Sequence, residues 1–289
     1  MEEKYLDLHN HTFYSDGQYS PDDVIKEAIK KNVGVMAITD HDTLNGIKKV
    51  DRSKDFIVES GIEIIDGIEL SAYVPKGRLH ILGYGIDLNN EPLNNKLNEL
   101  RDNSLHRVLS IMEQLKIDHG IFFSYDDIKE LINSNHNLGR PDLAKLLIKY
   151  GYAKSVSDAF DKYLVDAFNK IRGRNNSVTY KECIELIKNS GGIAILAHPK
   201  SLELSEGEFL EVLREYISCG LDGIEVYHSS HSSEEIELYK RIAEEYNLLI
   251  SGGSDFHGPL VKPEVELGYG VNNNLKIKSL SLYNHLHNR

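Results

Sequence analysis

Two histidines near the amino terminus are spaced to chelate a metal ion. His9 and His11 are separated by one residue, at the end of an apolar segment over residues 4–8 that has the character of a β-strand. Because side chains two apart in a strand point to one face, both imidazoles can reach the same ion. Two histidines packed in a core would give the same spacing, so the pair needs support from elsewhere in the chain.

That support comes from further imidazoles and carboxylates, which sit mostly at the ends of other apolar segments. They are Asp16, His41, Glu69, His80, His198, Asp255 and His257. In α/β barrels the carboxyl ends of the strands carry the active site. A single Asp or His there is usually a turn cap or a packed residue, but nine ionisable groups on one rim would be costly to bury without cations. The sequence therefore predicts a metal centre.

The elements that would position these residues alternate along the chain. Apolar segments at residues 4–8, 35–39, 63–69, 80–84, 193–197, 223–227 and 248–252 indicate strands, and several are preceded by an amphipathic stretch. The first helix is well signalled, since Ser20 can cap it and Pro21 occupies its first position. Strands that alternate with helices predict a mostly parallel sheet, and at this length we expect it to close into a barrel.

One region interrupts the alternation. Residues 97–115, 125–132 and 140–150 have helical patterns, with no convincing strand among them. We therefore predict that residues 1–92 and 175–289 form the barrel and hold the metal centre. Residues 93–174 are expected to form a helical cap domain, inserted after the fourth strand, that contributes substrate contacts.

Composition limits the classes of partner. The 289-residue chain has a formal net charge of −12, which argues against binding long nucleic acid through a basic surface. A small anionic substrate is compatible with this charge because bound metal ions would reverse the local field. The chain has two widely separated cysteines, no secretory leader and no apolar run of bilayer length. These features predict a cytoplasmic protein that does not contact membranes.

Taken together, the motifs resemble those of the PHP (polymerase and histidinol phosphatase) family. They are His-x-His, Ser-Asp-Gly, Thr-Asp-His-Asp-Thr, Gly-Ile-Glu, Ala-His-Pro and Gly-Ser-Asp-Phe-His, in that order over residues 4–270. The chain looks most similar to the branch of small bacterial metal-dependent phosphoesterases and nucleotide phosphatases. The resemblance implies a distorted seven-stranded (β/α) barrel with a trinuclear metal centre.

The resemblance also implies a distribution of ligands. His9, His11, Glu69 and Asp255 would hold one ion, Asp16, His41 and His257 a second, and His80 and His198 a third, with Glu69 bridging. Asp40 and Asp42 then look like groups that orient the ligating imidazoles. Imidazoles and carboxylates without thiolates suit manganese, iron or zinc better than calcium or magnesium, so two or three such ions are expected.

Substrate contacts are less well defined by sequence. Arg140 begins a predicted helix, where its guanidinium could bind phosphate as a catalytic charge clamp, although a surface arginine is the alternative. The family often shows Gly-Arg-Pro-His there, and this chain has Asp142 in place of the histidine. Arg172 and Arg174, in a short basic run with Lys170, could receive a second phosphate or an RNA backbone, or simply be solvated. His228 or His231, with His231 preferred, could protonate the leaving oxygen.

We therefore expect a hydrolase that cleaves a phosphate monoester of a small metabolite by a metal-bridging hydroxide. A nucleoside 5′-monophosphate or 3′,5′-bisphosphate is the favoured substrate. The alternatives are a 5′-to-3′ exoribonuclease on short RNA and a histidinol-phosphate or phosphotyrosine phosphatase. A catalytically silent metal-binding regulatory module is the alternative from a different class, disfavoured because every expected ligand is present.

Overall fold

The computed structural model describes residues 4–132, 138–171 and 178–288. The chain divides into two compact units. The first, which we call the barrel unit, comprises residues 1–94 and 178–289, and the second, the insertion, comprises residues 95–177.

The barrel unit is built on a sheet of seven strands in sequential order. They are β1 (Tyr5–Asp7), β2 (Val33–Ile38), β3 (Glu63–Ala72), β4 (Leu79–Tyr84), β5 (Ile193–Leu196), β6 (Gly223–His228) and β7 (Leu249–Gly253). Leu8 N donates to Gly252 O at 3.1 Å, which joins the two edge strands and nearly closes the sheet. The predicted seven-stranded α/β barrel is confirmed.

One strand departs from the parallel arrangement. β4 pairs antiparallel with both β3 and β5, whereas β1, β2 and β3, and likewise β5, β6 and β7, pair in parallel. The amino end of β4 therefore lies at the rim where its neighbours have their carboxyl ends. This reversal explains why His80 stands at the start of its strand, whereas His9 and His41 follow the ends of theirs.

Twelve α-helices accompany these strands in the described part of the chain. They are α1 (Pro21–Lys30), α2 (Asn45–Lys48), α3 (Asp55–Ser60), α4 (Glu91–His119), α5 (Tyr125–Ile132), α6 (Arg140–Lys149), α7 (Val156–Ala159), α8 (Val165–Ile171), α9 (Tyr180–Asn189), α10 (Glu206–Ser218), α11 (Ser233–Glu245) and α12 (Ser281–His287). α1 begins as predicted, with the Ser20 hydroxyl accepting from Asp23 N and Pro21 in the first turn. Two short strands, β8 (Val265–Glu266) and β9 (Gly270–Val271), form a hairpin that the sequence analysis missed.

The interior of the barrel is filled by side chains from alternate strand positions and from the C-terminal segment. This core comprises Leu6, Leu8, Ala37, Ile65, Leu82, Tyr84, Ile193, Ile195, Ala197, Ile277, Leu280 and Leu282. The buried Tyr84 hydroxyl donates to Leu8 O at 2.8 Å, which satisfies the one polar atom of its side chain. The interior of the barrel is therefore a packed core.

The insertion has a separate core. Val108, Ile111, Leu115, Leu143 and Leu147 are among its buried residues. A π-helical turn, Phe160–Leu164, joins α7 to α8. Of the helices in the described part of the chain, none is long and apolar enough to cross a membrane.

Candidate metal centre

The strand ends bring the predicted ligands to one rim of the barrel. His9 and His11 follow β1, His41 follows β2, and Glu69 lies in β3, where an isolated bridge pairs it with His41. After β7 the chain returns to β1, since Asp255 N donates to His9 O at 2.9 Å. Hydrogen bonds of the backbone therefore fix the approach of segments that are far apart in sequence.

Glu69 lies at the centre of the cluster. Its Oε2 lies 3.0 Å from His9 Nε2, 3.1 Å from His11 Nε2 and 3.2 Å from His41 Nδ1. Its Oε1 faces other imidazoles, at 2.8 Å from His80 Nδ1 and 2.9 Å from His198 Nε2. Burial alone would raise the pKa of the Glu69 carboxyl, but His41, His9 and His80 hold it well below its usual range. Each oxygen of this carboxylate thus serves a different group of imidazoles.

A second group of ligand atoms surrounds Asp16. Asp16 Oδ1 lies 3.1 Å from His257 Nε2 and 3.5 Å from His11 Nδ1, and Oδ2 lies 3.7 Å from His41 Nε2. Burial opposes ionisation of Asp16, yet the neighbouring His257 and His41 hold the pKa of the carboxyl well below its usual range. Ligand atoms of these four side chains all lie within 4.8 Å of one another, which is compact enough for one ion.

The two oxygens of Asp255 also face different partners. Oδ1 lies 3.3 Å from both His11 Nε2 and His257 Nδ1. Oδ2 lies 3.2 Å from His228 Nε2 and 2.5 Å from the ammonium of Lys262. All nine predicted metal ligands therefore gather in one cluster of the barrel unit.

The donor set of this cluster fits divalent ions. Among the described residues, the buried atoms His11 Nε2 and Asp16 Oδ1 have no hydrogen-bond partner, although both lie close to other ligand atoms. Buried polar atoms that the protein leaves unsatisfied are expected where a ligand satisfies them. Imidazole nitrogens and carboxylate oxygens are common ligands of divalent metal ions in proteins. The clusters of histidine, aspartate and glutamate are thus able to bind metal ions.

Backbone strain marks two of the ligands. His198 has φ = 25° and Asp255 has φ = 57°, both in the left-handed region that side chains larger than glycine rarely adopt. Such conformations persist where the surroundings over-determine them and they cluster at functional sites. Here His198 N donates to Glu225 Oε2 at 2.8 Å, and Asp255 N donates to His9 O, so hydrogen bonds hold both strained residues.

Glu225 is a component that the sequence analysis missed. It is fully buried in β6, where Oε1 lies 2.8 Å from His9 Nδ1 while Oε2 accepts from His198 N. A carboxylate that bonds the second nitrogen of a ligating histidine fixes the ring and its tautomer. The sequence signal that could have identified Glu225 was a charged residue inside the apolar strand Gly-Ile-Glu-Val-Tyr.

Asp40 and Asp42 accept hydrogen bonds from the loops and strands around the cluster. Asp40 accepts hydrogen bonds from Thr12 N and Thr12 Oγ1, both at 2.7 Å, and from Ser15 Oγ at 2.6 Å. Ser15 Oγ in turn lies 3.5 Å from His11 Nδ1, so Asp40 reaches that ring through a serine. Asp42 Oδ1 accepts from Ser71 N at 2.8 Å, which ties the loop after β2 to β3.

His231 is placed behind the site, and His228 in it. His231 is buried, its Nδ1 donates to Val226 O at 2.9 Å, and its ring packs on Tyr239. Burial and the neighbouring His228 lower the pKa of His231 to about 4. His228 lines the cavity described below and His231 does not, so His228 is the better placed of the two candidate proton donors.

Arg140, a predicted substrate contact, lies in the insertion beside two aromatic rings. The Arg140 guanidinium lies 4.4 Å from the ring centre of Phe168 and 5.3 Å from that of Phe160, and Asp142 Oδ2 accepts from Gly139 N at 2.9 Å. Asp142 thus caps the helix that Arg140 begins. Arg172 and Arg174 lie outside the described residues.

A cavity of ≈ 330 Å³ opens over the cluster within the barrel unit. Its lining comprises Asp16, His41, Glu69, Arg78, His80, His198, Ser201, His228, Ser229, Ser230, Ser254, Asp255, His257, Val261, Lys262, Glu264, Val265 and Val271. Its volume suits a small-molecule ligand. The predicted ligands form one part of the lining, and serines, valines, two basic side chains, His228 and Glu264 form the remainder.

Comparison with known proteins places this site in a family. The chain is 32% identical over 269 residues to a 5′-3′ exoribonuclease of Salmonella typhimurium, covering 91% of this chain and 87% of the relative. It is 28% identical over 259 residues to a 3′,5′-nucleoside bisphosphate phosphatase of Chromobacterium violaceum, covering 88% and 87%. A structure from Bifidobacterium adolescentis, assigned as a metal-dependent phosphoesterase, matches with a TM-score of 0.73 and 30% identity, covering 94% of this chain and 95% of that one. Residues 7–250 match the PHP domain, and the chain belongs to the PHP domain family.

Proposed function

We propose that this protein is a metal-dependent hydrolase of phosphate esters, with nucleotides as the favoured class of substrate. The leading form releases phosphate from a nucleoside 5′-monophosphate or a 3′,5′-bisphosphate. The observation that carries the proposal is Glu69, whose two oxygens face separate groups of imidazoles beneath an open cavity. The relatives named above, which include a nucleotide phosphatase, support the choice of substrate class.

Two or three divalent ions are proposed, held by the nine ligands as the family resemblance implies. Clustered ions of this kind lower the pKa of water and neutralise phosphoryl oxygens during in-line attack. The chain's own contribution is to fix the ligands before the substrate arrives. Glu225 orients His9 through Nδ1, Ser201 Oγ lies 2.7 Å from His198 Nδ1, and Asp40 reaches His11 through Ser15.

His228 is the residue that we assign to protonate the leaving oxygen. It can do so as the imidazolium, whose Nδ1 would donate to Ser230 Oγ at 2.8 Å while Nε2 releases its proton to the leaving oxygen and the ring becomes neutral. That nitrogen is 3.2 Å from Asp255 Oδ2, beside the cavity. A positioned imidazole contributes to such proton transfers by about 10²- to 10⁴-fold.

Stepwise 5′-to-3′ hydrolysis of short RNA is the second candidate. It is favoured by the similarity to the Salmonella typhimurium exoribonuclease over 91% of this chain. The roles of Arg140, Arg172 and Arg174 in holding such a substrate stay predictions, as does the cytoplasmic location.

A substrate panel tests the proposal. Phosphate release is measured with added manganese from adenosine monophosphate, adenosine 3′,5′-bisphosphate, a 5′-phosphorylated RNA trimer, histidinol phosphate and phosphotyrosine, each with a chelator control. Turnover of the nucleotides supports the proposal if the chelator abolishes that turnover. Stepwise release of mononucleotides from the trimer favours the second candidate. Metal binding with no turnover of any substrate would instead indicate a regulatory module.

Two single substitutions in the cluster make the proposal sharper. His41→Ala and Asp255→Ala should each abolish turnover while leaving the fold largely intact, because the ligands lie on the rim and outside the apolar core. His285→Ala, at an exposed position in α12, is the matched control and should keep full activity. Activity retained in both cluster variants would rule out the metal-dependent mechanism.

A further inference from the structure

The cavity contains a lysine that the metal cluster does not need. Lys262 lies seven residues after Asp255, and its ammonium contacts Asp255 Oδ2 at 2.5 Å. Its side chain is 33% exposed and lines the cavity. Among the described residues, the only other basic side chain in the lining, histidines aside, is Arg78.

The backbone directs Lys262 into the cavity. Lys262 N donates to Gly258 O at 2.9 Å, and Lys262 O accepts from Val265 N at 3.2 Å. Gly258 has φ = 90°, and a Cβ on it would lie 2.7 Å from Gln18 Cβ, so a tight turn that requires glycine presents the lysine. The ammonium is thus held at one place beside Asp255.

The hydrogen bonds of the ammonium are incompletely used. An ammonium group has three donors, and in the described part of the chain Asp255 is its one acceptor. The side chain is one third exposed and lines the cavity, where the remaining donors can meet a ligand that supplies oxygen acceptors.

The charge of the site also calls for an anion. Three of the nine proposed ligands are carboxylates, and Glu225 against His9 and Glu264 in the cavity lining bring the negative charges to five. Two or three divalent ions together with Lys262 and Arg78 would carry at least six positive charges, so the site stays net positive until an anion enters. A phosphoryl group has both the charge and the oxygens to accept from an ammonium.

We propose that Lys262 binds the phosphoryl group that is hydrolysed, with Asp255 anchoring its ammonium. The inference rests on the proposed function and adds a substrate-binding residue to it. The competing explanation is that Lys262 serves only as a counter-ion that holds Asp255 in place. The two differ in what the lysine controls, which is phosphate affinity in the first case and metal affinity in the second.

Inorganic phosphate binding separates these explanations. Isothermal titration calorimetry of phosphate into the manganese-loaded protein should give a Kd about 10- to 100-fold weaker for Lys262→Met than for wild type, as expected for a lost charge-assisted hydrogen bond. Lys262→Arg should recover part of the affinity. Manganese content, measured on the same samples, should equal that of wild type.

Lys31→Met is the matched control. Lys31 carries the same charge and contacts Glu266 of the β8–β9 hairpin at 2.6 Å, but it does not line the cavity. Its phosphate affinity should stay within about twofold of wild type, the usual scale for a surface change far from the ligand.

The outcomes distinguish this inference from the proposed function. Unchanged phosphate affinity in Lys262→Met, or loss of manganese from it, would overturn the role of Lys262 while leaving the hydrolase intact. Turnover should fall equally with adenosine monophosphate and the 3′,5′-bisphosphate, and a loss confined to the bisphosphate would also overturn the assignment. A wild-type protein that binds manganese but neither binds phosphate nor hydrolyses any ester would remove the proposed function and this inference with it.

Discussion

The barrel unit and the insertion handle their ionisable residues in opposite ways. In the insertion, Asp127, Asp158 and Asp118 contact the partly exposed lysines Lys149, Lys162 and Lys170, and each carboxylate is matched by a nearby cation. At the rim of the barrel, Glu69 and its imidazole neighbours are buried together. The insertion satisfies these carboxylates internally, whereas the rim is arranged for charges that come from outside the chain.

A single pair of carboxylates illustrates the difference. Hydrogen bonds from Lys149, Tyr150 and Ser124 lower the pKa of Asp127 to about 2. These bonds stabilise the start of α5 and its packing. The pKa of Glu69 is also lowered, although its complete burial opposes ionisation. The groups that lower it are imidazoles, which are common metal ligands. A low carboxyl pKa alone therefore does not mark a functional site, and the identity of the partners does.

The largest expected effect comes from neutralising Glu69 without changing its size. Glu69→Gln should lower kcat/KM by about 100-fold or more, because one carboxylate oxygen serves each group of imidazoles and the amide cannot replace both. Manganese content should fall in parallel. Wild-type manganese content together with wild-type turnover would show that the two groups of imidazoles do not share ions through Glu69.

The matched substitution in the insertion is Asp127→Asn. It removes a carboxylate of low pKa from a site with no predicted metal ligand, so manganese content and turnover should stay at wild-type levels while stability falls. If both variants lost manganese, the contrast between the two regions would be wrong.

A smaller effect is expected from metal removal. Each manganese ion that binds at 100 times its Kd should stabilise the protein by about 2.7 kcal/mol relative to the chelated form, provided that it binds only the folded chain. Thermal unfolding of wild type, with and without chelator, measures this shift. His41→Ala should reduce the shift and Asp127→Asn should preserve it, and the reverse order would place the ions away from the rim.

How far the sequence predicted this structure depends on the range of the interactions. The seven strands were predicted to within a few residues because apolar runs and turn residues are local signals, and the start of α1 at Ser20 and Pro21 is local as well. The antiparallel direction of β4 depends on pairing with β3 and β5, which no local pattern encodes. The position of His80 at the start of its strand was the one hint of that reversal.

The site divides in the same way. The nine candidate ligands were identified by residue type and strand-end position, and the structure brings them together. Identifying Glu225 and Lys262, and choosing between His228 and His231, requires the side-chain directions and the distances across the barrel. These are tertiary properties, so residue type alone could not separate two histidines that are three positions apart.

The smallest effect concerns the pH dependence of stability in the insertion. The folded pKa of Asp127 is about 2 and its ordinary value is 3.8, so its ionised form is stabilised by folding. That contribution is fully present above about pH 4 and is lost as the pH falls through about 2. The difference in free energy of unfolding between wild type and Asp127→Asn should therefore be constant near neutrality and shrink between pH 4 and pH 2. Urea unfolding at a series of pH values measures this difference. Because the hydrogen bonds from Lys149 and Tyr150 are stronger to an ionised carboxylate, a difference that grew on acidification would refute this origin of the low pKa.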